Sequence, residues 1–109
     1  MKTSEILRQA RALIKDKKHW TTGYYAKTRW LNRFVSPTSP RAYRFCALGA
    51  LKHIGSTIED RSSYYLYKAV LELFNSSVMQ INDVRKDHEA VLAMYDRAIE
   101  LAEKNESSN

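Results

Sequence analysis

Between Asp16 and Glu59 the chain has no acidic residue at all. Other scarcities are as informative. A single cysteine, Cys46, excludes an internal disulfide. The three glycines, Gly23, Gly49 and Gly55, are too far apart to form a glycine-rich loop around a phosphate, which excludes both common nucleotide-binding motifs. His19, His53, His88 and Cys46 lack zinc-finger spacing. No metal, no cofactor and no catalytic residue is therefore expected. No apolar run approaches the roughly 20 residues a membrane span requires, so a membrane partner is not expected either.

What fills the acid-free stretch is unusual. Its 42 positions hold eight Lys or Arg and seven of the chain's twelve aromatic residues. Cations attract a polyanion or an acidic surface from a distance, and flat rings then stack or bury on contact. The net charge of +6 also hides an asymmetry. Residues 1–55 carry twelve Lys or Arg against Glu5 and Asp16, net +10, and residues 56–109 carry six against ten acids, net −4. Such halves either complement each other, within or between subunits, or present a basic face to a partner.

The 109 residues suit one domain, expected over residues 1–104 with a disordered tail at 105–109. The opening residues begin an amphipathic stretch rather than a secretory leader, and with the lone cysteine they point to a soluble, cytoplasmic protein. The expected fold class is mainly α: a compact four-helix domain with a short β-hairpin or extended segment around 24–36. The first helix, capped by Thr3 or Ser4, runs to about Asp16 with Ile6, Leu7, Ala10, Leu13 and Ile14 inward. Arg8, Arg11, Lys15 and Lys18 form a basic stripe beside that face.

Between Tyr24 and Val35 the chain reads as extended. A two-residue turn at Leu31 and Asn32 would set Trp30 across from Arg33 and Arg29 across from Phe34; a single strand would put Lys27, Arg29 and Arg33 on one side. Ser39 followed by Pro40 predicts a second helix over about 40–54, stopped at Gly55, with Arg41, Arg44 and Lys52 as another basic stripe. A third helix is expected from Ser62 or Ser63 to about Phe74. The fourth is capped by Asp87, runs to about Lys104, and carries Glu89, Asp96, Glu100 and Glu103 as an acidic stripe facing helix one or two.

Cys46 with His88 and Asp83 or Asn82 has the composition of a nucleophile, base and orienting group. Its place inside the apolar run Phe45–Leu51 argues instead for a small buried hydrophobe. A helix-turn-helix reader is disfavoured too, because aligning Gly55 with the turn glycine puts Arg61 at a core position.

Three segments carry a resemblance. These are His19 and Trp20 to Tyr25 and Ala26; Ala42-Tyr-Arg-Phe-Cys-Ala-Leu-Gly-Ala-Leu51; and Asn82-Asp83 through His88-Glu-Ala-Val-Leu92 to Asp96-Arg-Ala-Ile99. Together they resemble a family of small uncharacterised proteins of bacteria and their phages, a domain of unknown function. The resemblance implies a compact, mostly helical domain and supplies no activity. Trp20, Asn82, Asp83 and His88 match its motif positions, which implies a shared pocket or shared turns and caps.

The expected function is that of a small non-enzymatic binding protein, a phage or prophage accessory factor that engages an acidic surface on a host protein or on a second copy of itself. The alternative is nucleic-acid binding without sequence specificity. Either would use Arg8, Arg11, Lys15, Lys27, Arg29, Arg33, Arg41 and Arg44, with Tyr24 or Trp30 stacking.

Overall fold

The structure is a computed structural model and describes residues 1–57 and 59–108. It is a compact single domain of four principal helices and a two-stranded antiparallel sheet. In chain order these are α1 (Thr3–Ile14), a 3-10 turn (Lys17–His19), β1 (Ala26–Thr28), β2 (Ala42–Phe45), α2 (Ala47–Ile54), α3 (Ser62–Phe74), a π turn (Gln80–Val84) and α4 (His88–Ser107). Helix α1 packs on α2 and α4, and α3 packs on α4.

The apolar periodicity of α1 does what it predicts: Ile6, Leu7, Ala10 and Ile14 are buried. Its cap is different. Lys2 takes the N-cap position without a side-chain bond, because the hydroxyls of Thr3 and Ser4 are used at long range. Thr3 Oγ1 donates to Asp60 O at 2.5 Å, and Ser4 donates from both N and Oγ to the Glu106 carboxylate at 3.0 and 2.7 Å. Those bonds also explain the other end of the chain. The tail expected at 105–109 is helical through Ser107, since Glu106 has a fixed partner on α1; Asn109 lies outside the described residues.

The second helix begins seven residues later than Ser39-Pro40 suggests. The capping chemistry of Ser39 is present, with Oγ accepting from Arg41 N at 3.1 Å, but it closes one turn that feeds a strand. Alternating aromatics at Tyr43 and Phe45 then favour β2, which pairs Ala26 with Phe45 and Lys27 with Arg44. Cys46 follows as the N-cap of α2, its sulfur accepting from Gly49 N at 3.2 Å. Arg41 and Arg44 thus leave the helix and the expected stripe with Lys52 does not form.

Gly49 has a specific reason. An added Cβ would lie 1.8 Å from the Tyr25 carbonyl oxygen, so only glycine lets α2 press against that backbone. Gly55, at φ +96°, ends α2 as expected.

A second hairpin extends the sheet. Thr28 N donates to Arg33 O at 2.9 Å and Val35 N to Ala26 O at 3.2 Å, which sets Lys27 opposite Phe34. The turn does contain Leu31 and Asn32, both at positive φ (64° and 50°), yet Phe34 faces Lys27 rather than Arg29. The register slips because Thr28 closes the loop with its side chain, accepting from Arg33 N at 3.0 Å and donating to Trp30 O at 2.6 Å.

Helix α3 starts at Ser62 as expected, held by Asp60, whose Oδ1 accepts from Ser62 N and Oγ at 2.8 and 2.6 Å. It buries Tyr65, Leu66, Ala69 and Val70, whereas Leu73 is exposed and Phe74 only partly covered. Asp87 caps α4 by accepting from Ala90 N at 3.0 Å. Its inward face is Val91, Met94, Tyr95, Ala98 and Ala102. Each fully buried large side chain, such as Leu7, Leu66 or Ile81, contributes about 1.5–3 kcal/mol.

Candidate functional site

Two parts of the molecule hold the residues singled out by the sequence. The first is the cationic surface. On α1, Arg8 pairs with Glu103, and Arg11 Nε stands 2.7 Å from Asp96 Oδ1 while its Nη2 donates to Oδ2 at 3.3 Å. The acidic stripe of α4 therefore meets helix one and occupies two of its cations. Lys15 is exposed at the end of α1 with no ion pair among the described residues.

The hairpin and β2 are different. Among the described residues, Lys27, Arg29, Arg33, Arg41 and Arg44 form no ion pair. Three of them rest on rings instead. The Arg29 guanidinium sits 5.1 Å from the Trp30 ring and 5.5 Å from Tyr43; Arg44 is 5.1 Å from Tyr43, and Lys27 is 5.8 Å from Phe34. Arg44 Nη1 also donates to Thr28 O at 3.1 Å, tying the guanidinium to the hairpin. The tip is apolar and open, with Trp30 75%, Leu31 79% and Phe34 63% exposed. Tyr24 stacks flat on Phe34, centroids 4.2 Å apart.

Beside this hairpin runs an open groove of about 690 Å³, lined by Lys17, Lys27, Arg29, Arg44 and Lys86 and by no carboxylate. Tyr43, Lys17 and Lys86 escaped the sequence reading. Tyr43 was legible as an aromatic without its cations, and Lys86 lay hidden in the acidic half.

The second part gathers the four motif positions. Asn82 is 2% exposed and joins three segments: Oδ1 accepts from Trp20 Nε1 at 2.7 Å and from Ala47 N at 3.1 Å, and Nδ2 donates to Thr21 O at 3.1 Å and Asp83 Oδ1 at 2.6 Å. Asp83 Oδ1 also accepts from Gly23 N at 2.9 Å. His88 lies against Trp20, ring centroids 5.1 Å apart, and its Nε2–H donates to Ile14 O at 2.7 Å. That bond satisfies a carbonyl at the C-terminal end of α1 and fixes the imidazole tautomer. Trp20 is thus a buried residue and Trp30 an exposed one.

Next to this network is a cavity of about 270 Å³ among Tyr24, Tyr25, Cys46, Leu48, Val78, Met79 and Asp83. Burial raises the Cys46 thiol above its usual range, nearby Asp83 raises it further, and hydrogen bonds from Gly49 and Leu48 N–H oppose the shift. The helix start that would favour a thiolate is present, but the sulfur is desolvated beside a carboxylate. Tyr95, whose hydroxyl donates to Ala47 O at 2.5 Å, is pushed well above the usual tyrosine range by complete burial. No three His, Cys, Asp or Glu side chains converge on a metal-sized site among the described residues.

A family model described as a family of unknown function, DUF6197, matches residues 1–101. The chain belongs to this family. No curated protein and no solved structure matches it. Among the described residues of this DUF6197 chain, no helix is long and apolar enough to cross a membrane.

Proposed function

We propose that the protein is a small non-enzymatic binding module whose hairpin face docks on an acidic surface of a partner protein. The observation that carries this reading is the set of five cations, Lys27, Arg29, Arg33, Arg41 and Arg44, without a carboxylate among the described residues, around an exposed Trp30, Leu31 and Phe34. Large apolar side chains ringed by guanidinium groups are the composition of an interface hot spot. Arg8 and Arg11 are left out of this surface because α4 already holds them. The motif resemblance supports a role as a phage or prophage accessory factor acting in the bacterial cytoplasm.

The alternative is nucleic acid, and the cation-lined groove is what favours it. Neutralising about five phosphates would give a log–log salt slope of about −4.5 on duplex and about −3.5 on single strands.

One experiment separates them. Tagged protein is used to capture partners from bacterial lysate, with and without nuclease, beside an Arg29→Glu/Arg33→Glu variant. A nuclease-resistant, stoichiometric species lost in the variant supports the protein partner. Nuclease-sensitive capture with the steep salt slope supports the alternative. Equal capture by both proteins removes the hairpin from either reading.

A further inference from the structure

The cation-lined groove beside the hairpin and the cavity beside the Asn82 network are opposite in charge. In a chain with eighteen Lys and Arg, no cation lines the 270 Å³ cavity between the Tyr24–Tyr25 segment, the start of α2 and the Val78–Asp83 segment. Its one charged group is Asp83. Oδ1 of that carboxylate is taken by Gly23 N and Asn82 Nδ2, whereas Oδ2 accepts no hydrogen bond and Asp83 meets no cation among the described residues.

The rest of the wall is hydrocarbon and ring: Tyr24, Tyr25, Leu48, Val78 and Met79. Tyr24 and Tyr25 are each nearly half exposed, so the mouth of the cavity is aromatic; one face of Tyr24 is stacked on Phe34 and Lys52 Nζ stands 5.1 Å from the Tyr25 ring, which leaves Asp83 as the group that selects for charge. Ring faces attract cations, and so does a carboxylate with a free oxygen.

The start of α2 also borders this space, and a helix N-terminus would ordinarily favour an anion. Here its donors are already used. Ala47 N donates to Asn82 Oδ1 and Gly49 N to Cys46 Sγ, so the partial positive charge of the helix end is capped while the full negative charge of Asp83 is not. The volume lies below the roughly 300–1,000 Å³ of drug-sized sites, which limits the occupant to a small molecule.

We propose that this cavity is a binding site for a small organic cation with a flat apolar body, its ammonium group on Asp83 Oδ2 and its hydrocarbon between Tyr24, Tyr25, Leu48 and Met79. The site is independent of the hairpin reading: loss of either leaves the other standing.

The test uses the intact protein and a charge series on one body. Phenethylamine, phenylacetate and ethylbenzene are titrated separately while amide resonances are followed by NMR. Phenethylamine is expected to shift the Gly23, Ala47 and Asn82 signals saturably, with phenylacetate weaker by about tenfold or more and ethylbenzene between them. Asp83→Asn, which keeps an acceptor for Gly23 N, is expected to erase the preference for the amine while leaving ethylbenzene binding in place. Should that variant fail to fold, the wild-type series decides alone. Equal affinity for the amine and the acid, a preference that survives Asp83→Asn, or no saturable shift up to about 10 mM amine each overturns the proposal.

Discussion

Arg8 and Arg11 on α1 and Arg29 and Arg33 on the hairpin are the same kind of side chain in opposite circumstances. The first pair faces Glu103 and Asp96 of α4; the second pair faces no carboxylate among the described residues. The sequence asymmetry between a +10 half and a −4 half is thus only partly neutralised within the monomer. Among the described residues, ion pairs between the two halves are confined to the α1–α4 seam, where helical spacing puts acids opposite bases. The hairpin cations have no carboxylate partner among the described residues, which leaves their charge to counterions or to another molecule.

That contrast predicts that neither cationic face carries the fold. Stability should reside in the neutral buried node instead, so Asn82→Ala, which orphans the Trp20 indole N–H and the Ala47 amide, should cost about 4 kcal/mol by urea denaturation. A loss below about 1 kcal/mol would mean that water reaches the node.

Next in size is binding. Arg29→Glu/Arg33→Glu should weaken partner capture by about a hundredfold with little change in the unfolding midpoint, since neither side chain makes an ion pair or hydrogen bond among the described residues and the Arg29 ring contacts with Trp30 and Tyr43 lie at the surface. The comparison breaks if the same reversal at Arg8 and Arg11 removes capture equally.

A smaller effect sharpens the other side. Arg11→Ala deletes an ion pair in which Asp96 is largely exposed, and it should cost no more than about 1 kcal/mol in the same denaturation assay, shrinking further at high salt.

The smallest is a pH effect. Burial alone would raise the Asp60 carboxyl, but bonds from Ser62 Oγ, Thr57 N, Ser62 N and Ser56 Oγ outweigh it and hold the group below the ordinary carboxylate value. The unfolded chain therefore binds this proton first. The contribution of Asp60 is complete above about pH 4 and disappears as pH falls through its depressed folded value. Acid titration of the unfolding midpoint should flatten in Asp60→Asn.

Much of the helical frame was legible beforehand, because α1, α3 and α4 follow apolar periodicity and two of them start beside an acidic cap. Thr3 and Ser4 misled on the cap of α1 because partners about 57 and 102 positions away claimed their hydroxyls. Ser39 and Pro40 misled on α2 because a good local cap cannot reveal that Tyr43 and Phe45 will be drawn into a sheet with Ala26 and Lys27. Asn82 is the clearest limit. A polar residue at 2% exposure needs its bonds, and those to Trp20 and Ala47 come from 62 and 35 positions away, which no local pattern encodes. Its grouping with Trp20, Asp83 and His88 came from the motif resemblance, not from spacing.

One oxygen atom of Asn82 holds protons from two segments that are otherwise separate in the chain. Neither proton can meet solvent unless that oxygen lets go, and Asn82 is almost wholly buried. The Ala47 amide and the Trp20 indole should therefore be protected from deuterium exchange by one common opening free energy, that of the whole domain. Two unrelated positions would report a single event.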